Sequence, residues 1–423
     1  MKLLRNVFKQ ISALLMIAVL SISFIAPTHA QAAYAVSSGS VFNNPYGTKS
    51  QRWAIIDQVE SAIDNTPKGE YIRIATFSIR HKASADKLIA ADKRGVIVQI
   101  VTDDHLYDED DTPSNKDTAQ LDRIKKALGT KVTANASYLK VCNNSCMSNV
   151  DWSSEHAKIY LFSRAGGSKW VSMIGSSNLS EGHTTSWNNL YKVVGDADYY
   201  TQLKDYFNAM SKEPDKGDWY TNEAFGKYRL YLFPRKVDNV NDDVYYSMLN
   251  KVQCTGASTG YGSKGKTVID LAMFQWSDRR DDVANKLVEL KKQGCVIKVA
   301  TSASLTYKSI LTTLIKGGIA VRDEDKWDSS HKNLVHYMHH KYITINGYYQ
   351  DPSKTDAQNR KTKIVFTGSP NLTDSGLRFN NEVLVRIDDA TQYAKYTSNF
   401  NLLYNKYGRT IKLGEGFVPI PTN

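Results

Sequence analysis

The segment Tyr-Ile-Arg-Ile-Ala-Thr-Phe-Ser at residues 71–78 decides the fold, because it opens a unit that the chain later repeats. A helical stretch follows at 83–94, and Gly95 then begins a second β-branched segment that ends at Thr102. The first segment is apolar and rich in β-formers, and the stretch after it has the periodicity of an amphipathic helix. The pattern predicts a β-α-β unit with a right-handed crossover between parallel strands.

A second copy of this unit lies in the other half of the chain. Val-Ile-Asp-Leu-Ala-Met-Phe-Gln at 268–275 precedes a helical stretch at 281–293 and a β-branched segment at 294–301. Three further matches recur in the same order: a Gly-Ser-x-Asn turn, an Asn-Asn pair and a Tyr-rich helical stretch. They lie at 175–180 and 368–373, at 188–189 and 380–381, and at 199–210 and 393–404. Four ordered matches are improbable by coincidence, so the sequence predicts an α/β protein made of two similar halves.

The boundary between the halves is expected in the polar stretch 212–227, which contains Pro214 and glycines. We therefore predict halves at 33–215 and 216–423. The chain has 423 residues, of which 41% are hydrophobic and 23% charged. This composition excludes disordered and collagen-like proteins and is ample for a buried core.

The first 32 residues have the three-part pattern of an export signal. Three basic residues precede an apolar run at 11–25, and small residues suited to cleavage follow as far as Ala32. The alternative is a retained membrane anchor, but the run is short for a span, which needs roughly 20 apolar residues. We therefore predict a signal peptide at 1–32 and a secreted protein. Cleavage lowers the net charge from +11 to about +8, which suits a nucleic acid or an anionic lipid surface without choosing between them.

The four cysteines fit an exported protein, in which disulfides persist. A bond between Cys142 and Cys146 would close a small loop, and one between Cys254 and Cys295 would join two segments of the second half. Four cysteines allow three connectivities, and the sequence leaves all three open. A zinc site is not expected, because the spacing is wrong and no histidine pair completes a ligand set.

Each copy carries a His-x-Lys triplet before an apolar run. The triplets are His156-Ala-Lys158 and His339-His-Lys341, and both runs are predicted to be strands. Side chains two apart on a strand point to the same face, so each histidine is expected beside its lysine. The Gly-Ser-x-Asn turns add a hydroxyl and a carboxamide to each pair. These are Ser176 and Asn178 in the first copy and Ser369 and Asn371 in the second.

This set of side chains suits a phosphodiester. Lysine and asparagine can hold the non-bridging oxygens, and the lysine charge stabilises the transition state. One imidazole can attack phosphorus, while the other protonates the leaving oxygen and then activates water. Because these donors and two ammonium groups supply the charge, we expect no metal or cofactor. The interpretation requires both imidazoles to meet in one cleft.

The chain resembles the phospholipase D superfamily, whose mark is two His-x-Lys-x4-Asp motifs, each followed by Gly-Ser-x-Asn. The resemblance covers nearly the whole mature chain. It implies two pseudo-twofold-related α/β/α sandwich halves with the active site at their interface. It also implies that one motif histidine becomes a phosphohistidine and the other acts as general acid. On this basis we favour His156 as nucleophile, with His339 as the acid. The phosphate would be bound by the lysines and asparagines named above, with Ser176 and Ser369 supporting them.

The chain departs from the family pattern at two places. The motif aspartate is replaced by Ser163 in the first copy and by Asn346 in the second, which weakens the assignment to a sub-family. The second copy has Glu382 where the family often has an acid that orients a histidine, and a carboxylate on Nδ1 raises the basicity of Nε2. Counting from the Asn-Asn pairs, the first copy has Leu190 at that place. Either one histidine then lacks a carboxylate or another acid supplies it.

Two substrate classes remain open at this stage. The first is a glycerophospholipid, cleaved by a monomeric phospholipase D that needs no obligate protein partner and can also transfer the phosphatidyl group. The second is DNA or RNA, cleaved by a secreted endonuclease of the same superfamily. A lipase is expected to have an aromatic, apolar rim around the site, and a nuclease a groove lined by basic residues. Candidates for exposed aromatic residues are Trp152, Trp187, Trp276 and Trp327.

Overall fold

The fold is that of a computed structural model, which describes residues 34–105, 118–148, 150–214, 218–237 and 239–412. The predicted signal at 1–32 lies outside these residues. Within the described ranges, no helix combines the length and apolar character that a membrane crossing requires.

The described residues of the first half form a seven-stranded mixed sheet with helices packed on it. In sheet order the strands are β1 (Gly39–Phe42), β7 (Asn189–Val194), β6 (Ser168–Gly175), β5 (Lys158–Ala165), β2 (Tyr71–Thr76), β3 (Ile97–Thr102) and β4 (Tyr138–Val141). The helices are α1 (Lys49–Asp64), α2 (Lys82–Lys93), α3 (Ala119–Leu128) and α4 (Ala197–Met210). A short 3-10 helix (Glu181–Thr184) precedes β7.

The second half repeats this arrangement in a ten-stranded sheet. In sheet order the strands are β19 (Arg409–Thr410), β13 (Ala320–Asp323), β12 (Val296–Thr301), β11 (Val268–Met273), β16 (Lys341–Tyr349), β17 (Thr362–Gly368), β18 (Val383–Ile387), β9 (Tyr228–Leu232) and β8 (Thr221–Phe225), with β10 (Val252–Gln253) beside β16. Strands β14 (Lys326–Trp327) and β15 (Leu334–His336) form a separate pair. The helices are α5 (Val244–Asn250), α6 (Asp281–Lys292), α7 (Lys308–Lys316), α8 (Asp356–Asn359), α9 (Ser375–Arg378) and α10 (Ala390–Leu402).

The strand orders confirm the duplicated α/β fold. In both sheets three parallel strands, β2-β3-β4 or β11-β12-β13, continue into three antiparallel ones, β5-β6-β7 or β16-β17-β18. Strands β2, β3 and β11 are buried at every position but the first, which is the pattern of strands covered on both faces. Their β-branched residues suit this pleated, buried setting.

The two Tyr-rich helices pack into one core that joins the halves. Asp196 precedes helix α4 and Asp389 precedes α10, and their carboxylates accept backbone N–H bonds of the first turn, as N-cap residues do. Their buried faces contact apolar residues of both sheets in a single cluster. Members of the cluster include Ile159, Tyr199, Phe207, Tyr342, Val383, Tyr396 and Phe400.

The sheet register corrects one part of the predicted repeat. Gly175 pairs with Leu190 in the first sheet, and the equivalent Gly368 pairs with Leu384 in the second. Leu190 therefore corresponds to Leu384, and the residue that corresponds to Glu382 is Asn188. The prediction that the two Asn-Asn pairs are equivalent, with Leu190 at the acid position, was wrong by two residues.

Both disulfides considered from the sequence are present. Cys142 is bonded to Cys146, with Cα atoms 5.0 Å apart, and Cys254 to Cys295, with Cα atoms 4.6 Å apart. The first closes a loop of which the Cys146 N–H donates to Asn381 Oδ1 at 2.8 Å. Two disulfides are compatible with an extracellular protein.

Candidate active site

The two His-x-Lys triplets lie where the halves meet. The backbone N–H of His156 donates to the Asn381 carbonyl at 3.1 Å, so the first triplet is held by the second half. The backbone N–H of His339 donates to the Trp187 carbonyl at 3.0 Å, so the second triplet is held by the first half. Asn381 and Trp187 occupy corresponding positions in the two sheets. The two hydrogen bonds between the halves are therefore related by the pseudo-twofold axis. Each half fixes the other half's histidine.

The His156 ring is oriented by a buried carboxylate. Its Nδ1 lies 2.8 Å from Oε1 of Glu382, which is fully buried. The ring also packs edge-on against Phe77, with centroids 5.9 Å apart. Burial lowers the pKa of His156 to about 4, the Glu382 charge opposes this shift, and the nearby Lys158 and Lys341 charges add to it. At neutral pH the ring is uncharged, with its proton on Nδ1 facing Glu382 and its lone pair on Nε2.

The His339 ring is oriented by an amide instead. Its Nδ1 lies 2.8 Å from Oδ1 of Asn188, and the ring packs against Phe274 with centroids 4.5 Å apart. Burial holds the pKa of His339 well below its usual range, and the charges of Lys341, Lys158 and His156 act in the same direction. Because charges of each triplet act on the histidine of the other, the two triplets lie near each other.

The two lysines are held by their own triplets. Each ammonium group donates to the carbonyl of the histidine two residues earlier, Lys158 to His156 at 2.5 Å and Lys341 to His339 at 2.9 Å. Both lysines are fully buried. Burial lowers the pKa of Lys158 to about 8, against the opposing charge of Glu382, and lowers that of Lys341 well below its usual range. A bound phosphate would place negative charge beside these ammonium groups and so raise their pKa values.

The Gly-Ser-x-Asn turns bring one carboxamide to each triplet. The Asn178 Oδ1 accepts a bond from Thr76 Oγ1 at 3.0 Å, while Asn371 Oδ1 is buried and has no hydrogen-bond partner among the described residues. Each turn begins with a glycine because the backbone of the neighbouring strand lies too close for a side chain. A Cβ at Gly175 would collide with the Asn189 carbonyl, and one at Gly368 with the Val383 carbonyl.

The two turn serines make hydrogen bonds within the protein. Both are fully buried. The Ser176 Oγ accepts the Asn189 N–H at 3.1 Å and donates to Asn188 Oδ1 at 2.9 Å. The Ser369 Oγ accepts the Val383 N–H at 3.0 Å. Their hydroxyls therefore fix the turns and, through Asn188, the His339 ring.

One site histidine was missed from the sequence. His183 lies in the 3-10 helix Glu181–Thr184, and its ring packs against His339 with centroids 4.6 Å apart. Its Nδ1 accepts the backbone N–H of Asn178 at 2.8 Å. The second copy has no histidine at the corresponding distance from its turn. The signal that the sequence offered was its position five residues after the motif asparagine Asn178. The second copy does not repeat a histidine there, so the signal had no support.

An acidic cluster lies beside the first triplet. Asp103, Asp104 and His105 are the described residues whose ligand atoms, all within 4.8 Å of one another, could hold a metal ion. The two carboxylates raise the pKa of His105 to about 10, so the protonated ring offsets part of their charge. Asp103 does not contact a motif histidine in the described bonds. It accepts the backbone N–H of Glu155 at 2.6 Å and so fixes the residue before His156.

The tryptophans divide between core and surface. Trp187 and Trp276 are fully buried, so their expected exposure was wrong. Trp187 pairs with Met338 of the other half, whereas Trp276 pairs with Thr306 and Leu372 of its own half. Trp152 and Tyr307 are exposed, by 50% and 45%, and both line a cavity of about 510 Å³. The cavity is also lined by Gln275, Ser277, Asp278, Arg279, Thr373, Asp374 and Ser375. These residues are close chain neighbours of His156, Phe274 and Asn371.

Comparison with known proteins assigns the chain to a family. The model of the family described as cardiolipin synthase, PLD-like domain, matches residues 59–211 and 263–404. The chain therefore belongs to this family of PLD-like domains, and the match covers both copies of the repeat. The phospholipase D superfamily resemblance is thereby confirmed. No curated protein sequence matches the chain.

Two solved structures share the fold. Phosphatidylserine synthase from Haemophilus influenzae Rd KW20 is 11% identical, with a TM-score of 0.54, over 90% of this chain and 89% of that one. Polyphosphate kinase from Porphyromonas gingivalis is 13% identical, with a TM-score of 0.55, over 89% of this chain and 48% of that one. The chain thus spans about half the length of the kinase. At this identity the likeness concerns the fold alone.

Proposed function

We propose that the protein is a secreted phosphodiesterase that acts through a phosphohistidine on His156, and that its substrate is a glycerophospholipid. The observation that supports this proposal is that two differently partnered imidazoles and two buried ammonium groups lie near enough for their charges to act on one another. Such a site favours a phosphodiester because it combines a nucleophile, an acid and fixed positive charge. The export pattern at 1–32 and the two disulfides support secretion.

The first chemical step forms a bond between His156 Nε2 and phosphorus. His339 enters this step as the imidazolium, because the negative charge of the bound diester raises the pKa of the ring. The bond from phosphorus to the leaving oxygen breaks, and that oxygen takes the Nε2 proton of His339, which leaves that ring neutral. The attacking ring becomes positively charged, and Glu382 at its Nδ1 stabilises that charge. This is why we assign the nucleophile to the histidine that has the carboxylate. Lys158 and Lys341 offset the charge on the non-bridging oxygens.

The second step regenerates the ring. Water gives a proton to His339 and its oxygen bonds to phosphorus, while the bond to His156 Nε2 breaks. Asn188 holds the His339 Nδ1–H in place through both steps without adding charge. An alcohol in place of water would give transfer instead of hydrolysis. Phosphatidic acid and the free headgroup are the hydrolysis products.

The lipid assignment is supported by the cavity next to the site. Its exposed aromatic residues, Trp152 and Tyr307, give an amphipathic rim of the kind that enters a lipid interface. Uncharged polar side chains line much of the rest, and Arg279 lies close to Asp374. The basic net charge keeps nucleic acid as the alternative substrate.

The experiment incubates the purified protein, with a chelator, separately with phosphatidylcholine vesicles and with plasmid DNA. We expect choline release without nicking, and its loss in both His156→Ala and His339→Ala. Nicking without choline release would replace the lipid assignment with the nuclease. Undiminished turnover by both variants would contradict the mechanism.

A matched pair of tryptophan variants tests the rim. Trp152→Ala is expected to slow hydrolysis of vesicles several-fold while leaving a soluble diester, bis(p-nitrophenyl) phosphate, unaffected. Trp170→Ala removes another exposed ring, 41% exposed against 50% for Trp152, at the far end of β6 from Gly175 and is expected to change neither rate. Equal loss in both variants on vesicles would contradict a specific role of the cavity rim.

A further inference from the structure

His183 has only one tautomer available in this fold. Its Nδ1 faces the backbone N–H of Asn178 at 2.8 Å. A backbone N–H can only donate, so Nδ1 must carry its lone pair and the ring proton must lie on Nε2. Protonation of Nδ1 would place two hydrogens against each other. The ring is therefore a fixed neutral donor at the edge opposite Asn178.

The His183 ring lies beside the second triplet. It packs against His339, with centroids 4.6 Å apart and planes inclined by 47°, and the residue is partly exposed to solvent. Burial, and then the charges of Lys341, Lys158, Arg80 and His156, hold the pKa of His183 well below its usual range. Three of these charges belong to the two triplets.

The loop that carries His183 also carries the residue that orients His339. The His183 carbonyl accepts two hydrogen bonds, one from Nδ2 of Asn188 at 3.2 Å and one from Nδ2 of Asn43 at 3.0 Å. Asn188 in turn holds His339. The backbone of His183 is thus anchored independently of its side chain, which leaves the imidazole free for a role of its own.

The second half offers no counterpart. The residue five positions after Asn371 is Gly376, whereas His183 stands five positions after Asn178. A Cβ at Gly376 would lie 2.7 Å from the Asn371 carbonyl, so no side chain fits there. The extra donor exists only on the His339 side of the cleft.

We propose that His183 is a further catalytic residue, whose Nε2–H donates to the phosphate on the leaving-group side of the cleft. The inference rests on the proposed function, because it places a third imidazole on the same phosphorus. A fixed neutral donor stabilises charge that develops on oxygen without competing with His339 for a proton. Loss of one such donor typically costs on the order of 10²-fold in kcat.

Two substitutions separate this role from a structural one. Asn places its oxygen near the position of Nδ1, so His183→Asn keeps the Asn178 contact and removes the donor. Gln places its amide near the position of Nε2, so His183→Gln keeps the donor and removes that contact. We expect kcat to fall about 10²-fold in His183→Asn and much less in His183→Gln. A structural role predicts the reverse order.

The assay measures hydrolysis of phosphatidylcholine vesicles and of bis(p-nitrophenyl) phosphate, with thermal unfolding of each variant. His331→Gln, at an exposed turn, is the control and should match the wild type. Equal rates in wild type, His183→Asn and His183→Gln would overturn this inference alone. So would a larger loss in His183→Gln than in His183→Asn. A wild type without turnover on either substrate would overturn the proposed function as well. Should His183→Asn not fold, full activity in His183→Ala at its folded temperature would equally overturn the inference.

Discussion

Replacing Glu382 by glutamine tests the asymmetry between the two histidines. The substitution keeps the shape of the side chain and removes the negative charge that lies 2.8 Å from His156 Nδ1. In the proposed mechanism that charge stabilises the ring when it carries phosphorus. A hydrogen bond to a charged group contributes about 1.5–3 kcal/mol, and each 1.36 kcal/mol is tenfold in rate. We expect kcat to fall about 10- to 100-fold.

The pH dependence of the activity is a second, independent test of the role of the Glu382 charge. The wild type needs His156 unprotonated and Lys158 protonated, whose pKa values are about 4 and about 8. Since His339 takes up its proton as the anionic diester binds, His156 and Lys158 should limit activity below about pH 4 and above about pH 8. The Glu382 charge raises both pKa values, so its removal lowers both. Both limbs of the Glu382→Gln pH profile should move to lower pH. The maximal activity of this variant should also be lower than that of the wild type.

The assay is steady-state hydrolysis of bis(p-nitrophenyl) phosphate from pH 3.5 to 9. Glu324→Gln is the matched control, because Glu324 is also buried and burial raises its pKa to about 9. At neutral pH that carboxyl is already uncharged, so glutamine changes little there. An unchanged kcat in Glu382→Gln, or limbs that move to higher pH, would refute the reasoning.

Two further predictions concern stability. Burial raises the pKa of Asp270 to about 6, so its stabilising uncharged form is present at acid pH and is lost as pH rises through 6. Asp270→Asn should gain about 3 kcal/mol over wild type at pH 8 and little at pH 4, in urea unfolding at each pH; an equal gain at both would contradict this. The Cys254–Cys295 bond closes a longer loop than Cys142–Cys146, with separations of 41 and 4 residues. Loop entropy predicts losses of about 4 and about 2 kcal/mol when each is replaced by alanines, and the opposite ranking in urea unfolding would contradict it.

The duplicated fold could be predicted because its signals recur. Two β-α-β units and two His-x-Lys triplets in one order leave few alternatives, and the strands followed from their apolar, β-branched composition. The burial of Trp187 could not be predicted in this way. It depends on a strand end that pairs with the other half, which no local pattern reveals.

The partner of His339 was missed for a related reason. Asn188-Asn189 and Asn380-Asn381 are identical dipeptides, but the sheet register shows that Asn188 corresponds to Glu382 in the second half. Only strand pairing distinguishes the two alignments, because a shift of two residues keeps each side chain on the same face. His183 escaped notice because it stands in a short turn without a repeat partner.

The most direct test of the central claim uses His339→Ala and bis(p-nitrophenyl) phosphate. Nitrophenolate leaves without an acid, so the first step should proceed while the second lacks its base. We predict a burst of about one equivalent of nitrophenolate, and mass spectrometry after alkaline quench should place a nitrophenyl phosphoryl group on His156. An adduct on another residue, or steady turnover with none, would contradict the claim that two half-sites act on one phosphorus.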